Sequence, residues 1–218
     1  ELLAEKETIR MIFAAAPSQN EFLAALASDP TVDFTKIDAF HMDEYIGLPA
    51  DAPQGFGNFL RDRLFNLAPF RSVTYLNGLA ADPEEECRRY GELLKGGVDI
   101  VCMGIGENGH IAFNDPAFAE FDDKKAVKIV ELDPVCRMQQ VHDGCFASLD
   151  QVPTHALTLT IPTLTRVGVI FCMVPAASKA SDVKACVEGP VTEACPASIL
   201  RTCPGAKLYL DPDSASLL

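Results

Sequence analysis

Short apolar runs alternate along this chain with stretches whose apolar residues recur at helical spacing. Ile9–Ala16 (IRMIFAAA) reads as a buried strand, and Ser18-Gln19-Asn20 then opens a helix with Phe22, Leu23 and Leu26 on one face. Lys36–Phe40 reads as a second strand, Gly57–Phe65 as a helix, and Val73–Leu76 as a strand closed by Asn77-Gly78. Pro83–Leu94 carries acidic residues in its first turn, as a helix amino end favours. Val98–Met103 is continuously apolar, the pattern of a parallel strand covered on both faces. Val127–Leu132, Ala156–Ile161 and Val167–Val174 follow as strands, Ser178–Val187 as a helix and Lys207–Leu210 as a last strand. The alternation predicts one α/β domain over residues 1–218: a doubly wound, mostly parallel, Rossmann-like sheet with helices on both faces.

The size agrees with that reading. A chain of 218 residues, 48% of them hydrophobic, fills one sizeable α/β domain but not two. The net charge of −13 disfavours nucleic acid and anionic membranes as partners, and no apolar run is long enough to span a bilayer. A phosphorylated small molecule would need a local pocket of amide N–H groups or cations. The eight cysteines form no CxxC pair and no zinc-like spacing, which points to a reducing cytoplasm. The chain begins at Glu1 rather than Met, so a preceding segment is expected. The oligomeric state stays open, with a homo-oligomer compatible.

In doubly wound sheets, ligands bind outside the carboxyl ends of the strands. Three polar clusters fall there. Gly104–Pro116 (GIGENGHIAFNDP) has Gly104, Gly106 and Gly109, which let the backbone turn tightly and approach a ligand. His110 follows, with Asn114-Asp115 close behind, an arrangement suited to moving protons near neutral pH. A phosphate turn with a surface histidine is the alternative. Asp43-Glu44 ends an apolar strand and reads as a helix cap, an ion pair or a candidate base. Ser18-Gln19-Asn20 reads as an ordinary N-cap or as a phosphate cradle, and Lys179 as a solvated lysine or a compensating cation. His155 reads as structural and His142 as undecided. With few histidines and no close His/Cys/carboxylate pairing in the sequence, no catalytic metal is expected.

HMDEYIGLP (His41–Pro49) and GIGENGHIAFNDP (Gly104–Pro116) resemble the two signature segments of the glucosamine-6-phosphate deaminase/isomerase family, relatives of the 6-phosphogluconolactonases. YLNG at Tyr75–Gly78, VPTHALTLTIPTL at Val152–Leu164 and SKASDVKACVEGP at Ser178–Pro190 extend the likeness from about Ile9 to Ile199. The resemblance implies aldose–ketose isomerisation with deamination of an amino sugar 6-phosphate, without a cofactor. It implies Asp43 as the base at C2, His110 as the ring-opening group and Asp115 as the residue orienting it. It also implies Lys179 and the Ser18 region (Ser18, Gln19, Asn20) as phosphate ligands, with Glu44 and Gly106 at the substrate. Three positions depart from the family pattern: Asn108 replaces an acidic residue, Asp115 a glutamate, and Ala16–Asn20 a glycine–threonine loop. The second phosphate-binding cation, an arginine in the family, has no clear counterpart, with Arg137 as one candidate. A 6-phosphosugar lactonase and a non-catalytic sugar-phosphate sensor are the alternatives.

Overall fold

The computed structural model describes residues 1–218. In chain order the elements are α1 (Leu2–Glu5), β1 (Ile9–Phe13), α2 (Asn20–Ala27), β2 (Ile37–His41), β3 (Asp43–Tyr45), α3 (Phe56–Leu60) and β4 (Ser72–Thr74). There follow α4 (Pro83–Leu94), β5 (Ile100–Met103), β6 (Val127–Glu131), α5 (Pro134–His142), β7 (His155–Leu159), α6 (Ile161–Thr165), β8 (Val169–Val174), α7 (Ala180–Glu188) and β9 (Ala206–Leu210). Every neighbouring pair in the main sheet is parallel, in the order β4-β2-β1-β5-β8-β9.

The expected α/β sheet is therefore present, and its strands are apolar for the expected reason. Val101 and Met103 of β5 join one buried cluster of 24 residues, while Ile100 and Cys102 join another of 23. β1 alternates likewise, Ile12 to one side and Met11 and Phe13 to the other. Successive side chains of a strand point to opposite faces, so a strand buried on both has no polar position to spare.

The helices start where their sequences say. Asp82 caps α4 by accepting from the N–H groups of Glu84 and Glu85, with Pro83 at the first helical position. Asp133 caps α5 in the same way, accepting from Val135 N–H ahead of Pro134. The sequence reading overlooked α5, although Asp133-Pro134 carries this signal. Beyond α3 the helix widens into a π-helical turn over Arg61–Phe65.

Two of the expected strands belong elsewhere. β6 and β7, expected in the main sheet, pair antiparallel with each other, and β7 pairs antiparallel with β3 in a separate three-stranded sheet. The chain passes between the two sheets at Met42, between β2 and β3. His41 fixes that passage. Its Nδ1 donates to Asp43 O at 2.9 Å and its Nε2 accepts Leu76 N–H at 3.0 Å, while Tyr90 Oη accepts its N–H at 3.0 Å and donates to its carbonyl at 2.8 Å. Both ring nitrogens are thus used in the neutral form, and burial lowers the pKa of His41 to about 4.

A histidine depressed from 6.5 to about 4 contributes stability that is complete above pH 6.5 and is lost as the pH falls toward 4. The loss amounts to roughly 3 kcal/mol at ~1.4 kcal/mol per unit. Urea unfolding from pH 8 to pH 4 should show it, and His41→Gln, though less stable at pH 8, should lack this acid-side decline. An unchanged slope in the variant would contradict the assignment.

Candidate active site

The order of the main sheet reverses between β1 and β5, and the clefts of such sheets open at that switch point. A cavity of about 240 Å³ lies there, lined at the carboxyl ends of β1 (Ala14–Ala16, Ser18, Gln19), β2 (Met42, Asp43), β5 (Gly104–Gly106, His110) and β8 (Pro175, Ala176, Lys179). The last turn of α5 and the residue after it add Gln139, Gln140 and Asp143.

Asp43 is the first residue of β3 and pairs across the small sheet with Thr158. Its carboxyl group is buried and has no hydrogen-bond partner in the protein. Burial, reinforced by the neighbouring Glu44 charge, raises its pKa well above the ordinary carboxylate value. Glu44, one residue on, points to the opposite side of the strand. There its carboxylate accepts the N–H groups of Tyr45, Phe56 and Gly57 at 2.9–3.0 Å and lines a second cleft with Arg61 and Tyr75. The expected substrate contact from Glu44 is corrected accordingly: alternation along β3 sends Asp43 and Glu44 to different cavities.

His110 lies on the turn after β5. Three oxygens converge on its Nδ1, namely Glu107 O at 2.9 Å, Asn108 Oδ1 at 3.0 Å and Asp115 Oδ1 at 3.2 Å. All are acceptors, so Nδ1 carries the proton and Nε2 is the nitrogen left without a protein partner. Burial pushes the imidazole below its usual range and the Asp115 carboxyl above its own, with their mutual attraction opposing both. Asp115 reaches the ring directly despite its short side chain. Asn108 bridges the pair, donating through Nδ2 to Asp115 Oδ1 at 3.3 Å.

Gly106 is dictated by this packing, because a Cβ there would lie 2.0 Å from His110 Cε1 and Nε2. Gly78 is equally constrained at the back of β3, where a Cβ would lie 1.9 Å from Tyr45 O. The loop is tied to the small sheet: Asn114 Nδ2 donates to Ile111 O and Leu159 O, and Phe113 N–H donates to Thr158 Oγ1.

At the other end of the cavity, Lys179 Nζ is buried and has no hydrogen-bond partner. Ser18 lies in the 3₁₀ turn Pro17–Gln19 that leads into α2. Buried Gln19 spans the floor: its Nε2 donates to Met173 O at 3.1 Å, and its Oε1 is left unpaired. An unpaired buried ammonium facing a cavity suits an anionic ligand, whereas the free Gln19 Oε1 is an acceptor and calls for a donor such as a hydroxyl. Asn20 is not part of this lining. Its Oδ1 accepts from Arg63 Nε at 2.8 Å outside the pocket. Arg137 is not among the cavity lining; its Nη2 donates to Leu149 O and Val152 O, while its Nε is buried without a partner. His142 and His155 are exposed and are not part of the lining, although His142 directly precedes Asp143.

Sequence reasoning missed Gln139, Gln140 and Asp143 because it overlooked α5. Gln139 Oε1 accepts Glu107 N–H at 2.8 Å and so supports the histidine turn. α5 also brings Cys136 to within 4.8 Å of the His110 and Asp115 ligand atoms. The absence of a His/Cys/carboxylate grouping, expected from sequence spacing, is thus corrected by the fold. These three donors could hold a metal ion, although the imidazole and carboxylate are already joined as a proton-carrying pair.

Fold and cavity together define an α/β enzyme of acid–base type. Residues 1–209 match the model of the glucosamine-6-phosphate isomerases/6-phosphogluconolactonase family, and the chain belongs to that family. Glucosamine-6-phosphate deaminases of Bacillus thuringiensis (strain Al Hakam) and Bacillus cereus (strain AH820) are each 36% identical to it over 187 residues, covering 85% of this chain and 70% of theirs. A solved monomeric glucosamine-6-phosphate deaminase has TM-score 0.87 at 33% identity, covering 98% of this chain and 90% of its own. The 6-phosphogluconolactonase of Thermotoga maritima, at TM-score 0.75 and 20% identity over 96% and 87% of the chains, shares the fold.

Two outcomes follow from the site's geometry. The raised pKa of Asp43 means a stabilising contribution present at low pH that is lost as the pH rises through the folded-state value. Asp43→Asn should therefore raise the urea midpoint, more at pH 8 than at pH 5; a lower midpoint at pH 8 would contradict the burial account. Gly106→Ala should keep the fold by circular dichroism yet displace His110, lowering kcat on the order of a hundred-fold or more. Near-normal turnover would show that the ring's position does not matter.

Proposed function

We propose that the chain deaminates glucosamine 6-phosphate, yielding fructose 6-phosphate and ammonia. The observation that carries this reading is one cavity shared by a buried, hydrogen-bond-free carboxyl (Asp43), a histidine with a free Nε2 (His110) and an unpartnered buried ammonium (Lys179). The glucosamine-6-phosphate deaminase relatives support the same reading.

Lys179 and Ser18 hold the phosphate, with Gln19 positioning Ser18 from the floor. His110 serves the sugar ring, passing a proton between the C1 hydroxyl and the ring oxygen as the C1–O5 bond breaks and the aldehyde forms. Asn108 and Asp115 keep its Nδ1 protonated and its ring fixed. Asp43, as the carboxylate, takes the C2 proton while the C1 oxygen gains a proton from the substrate's own ammonium, giving a neutral enolamine, and burial of Asp43 strengthens it as a base. Returning the proton to C1 gives the C2 iminium. Water adds there, ammonia leaves, and the ketone remains. C1 is reduced as C2 is oxidised within the substrate, so there is no net redox change and the transfers are of protons and water. We place this chemistry in the cytoplasm, in keeping with the eight unpaired cysteines.

Purified protein should release ammonia from glucosamine 6-phosphate, with galactosamine 6-phosphate and 6-phosphogluconolactone assayed alongside. Lactone hydrolysis without ammonia from either amino sugar would overturn the proposal. Asp43→Asn should lower kcat roughly 10²–10⁴-fold. Because ionisation of Asp43 is needed and its pKa is raised, kcat/KM should fall on the acid side at a pH well above the ordinary carboxylate range. An acid limb near pH 4 would remove Asp43 from the role of base.

A further inference from the structure

All eight cysteines are free thiols, and the fold brings two of them together. Cys186 Sγ and Cys195 Sγ lie 3.4 Å apart, in hydrogen-bond contact. Cys102 and Cys172, by contrast, are wholly buried within β5 and β8 and serve as small core hydrophobes.

Both members of the pair sit on ordered chain. Cys186 lies on the buried face of α7 with Ala180 and Val183, two turns along from Lys179. Cys195 immediately precedes the 3₁₀ turns of Pro196–Thr202. Its N–H donates to Thr192 O at 3.0 Å, and its carbonyl accepts Ser198 N–H at 2.9 Å. The buried Ser198 hydroxyl ties the same turn, accepting Thr192 N–H at 2.9 Å and donating to Thr192 O at 3.2 Å. Cys195 is half-buried beside exposed Glu193 and Ala194, whereas Cys186 is buried behind it. A small oxidant therefore meets Cys195 first. Burial, with the Cys195 thiol beside it, pushes the Cys186 thiol up, so Cys186 stays protonated until it reacts.

The pair also touches the active site. Gly109 stands between Asn108 and His110, and a Cβ on it would lie 2.8 Å from Cys195 Sγ. The sulfur thus packs directly against the histidine turn. Closing the present contact to the roughly 2 Å of a disulfide moves the atom on which Gly109 rests.

We propose that Cys186 and Cys195 form a modification site for hydroperoxides, a dithiol that oxidises reversibly to a disulfide and thereby shifts the histidine turn. Cys195 sulfur, as the thiolate, attacks one peroxide oxygen. An S–O bond forms, the O–O bond breaks, and the leaving hydroxide is protonated to water. Sulfur is oxidised to the sulfenic acid and peroxide is reduced. Cys186 sulfur then attacks Cys195 sulfur, the S–S bond forms, and the S–O bond breaks. The departing hydroxide takes the Cys186 proton as a second water. Two thiols and one peroxide give one disulfide and two waters. In the reducing compartment proposed above, such a disulfide is transient and redox-sensing.

The test treats wild-type protein with hydrogen peroxide, alkylates the remaining thiols and maps the peptides by mass spectrometry. The Cys186 and Cys195 peptides should be joined, two hydrogens lighter, and separated by dithiothreitol, with Cys102 and Cys172 still reduced. Amide hydrogen exchange over Gly104–Pro116 should be faster in the oxidised form. Only the activity readout rests on the deaminase reading: kcat for ammonia release should fall roughly ten-fold or more on oxidation and recover on reduction. Cys186→Ala should keep near wild-type turnover when reduced, and peroxide should leave its Cys195 as a sulfenic acid trapped by dimedone. Wild-type Cys195 that stays a free thiol, goes irreversibly to the sulfinic acid or pairs with another cysteine would overturn the site. A Cys186–Cys195 disulfide with unchanged exchange over the turn would overturn its coupling to His110. Silence on ammonia from the reduced protein, with disulfide and exchange responding as stated, would remove the deaminase reading and uphold this inference.

Discussion

The passage of the chain from one sheet to the other at Met42 is the constraint on which the site depends. β2 is the second parallel strand of the main sheet, and β3 starts only one residue beyond it in an antiparallel sheet. Such a change of sheet leaves backbone groups that neither ladder can pair. The His41 imidazole and the Tyr90 phenol satisfy them, reaching Asp43 O, Leu76 N–H and both backbone groups of His41 itself. Buried backbone groups left unpaired would cost about 1–3 kcal/mol each, so the crossing has one favourable geometry. That geometry aims Asp43 into the cavity.

The same small sheet sets the partner of Asp43. Thr158 is opposite Asp43 in register and accepts Phe113 N–H, while Asn114 donates to Leu159 O. The histidine loop is thereby hung from the strand that faces the base. The three non-glycine residues with positive φ, Asn108 (66°), Ala112 (50°) and Ala176 (86°), all line or flank this cavity. Such conformations cost of order 1–3 kcal/mol each and persist where the surroundings over-determine them, as at Asn108 between His110 and Asp115. Strain held in this way lets Nδ1 meet three acceptors while Nε2 stays free.

The sequence made the parallel sheet legible because strands buried on both faces, such as β5, are continuously apolar. It also showed the two polar segments at strand ends, and through their likeness to a known family the residues Asp43, His110, Asp115 and Lys179 were singled out. The second sheet was not legible. β6 and β7 have the same apolar character as parallel strands, and only pairing between residues distant in the chain distinguishes them. Glu44 was misplaced because its adjacency to Asp43 suggested a shared role, whereas period-two alternation separates them. Asn20 was misplaced because a loop motif does not tell which side chains turn inward.

The account makes one spatial claim above all: the cavity at the switch point, not the neighbouring cleft beside Glu44, Arg61 and Tyr75, receives the amino sugar phosphate. A crystal structure with 2-amino-2-deoxyglucitol 6-phosphate, the reduced open-chain analogue, tests it most directly. The account predicts the phosphate at hydrogen-bond distance from Lys179 Nζ and Ser18, with C2 about 3–3.5 Å from an Asp43 carboxylate oxygen. An analogue seated against Tyr75 and Arg61, or one whose C2 is turned away from Asp43, would contradict it.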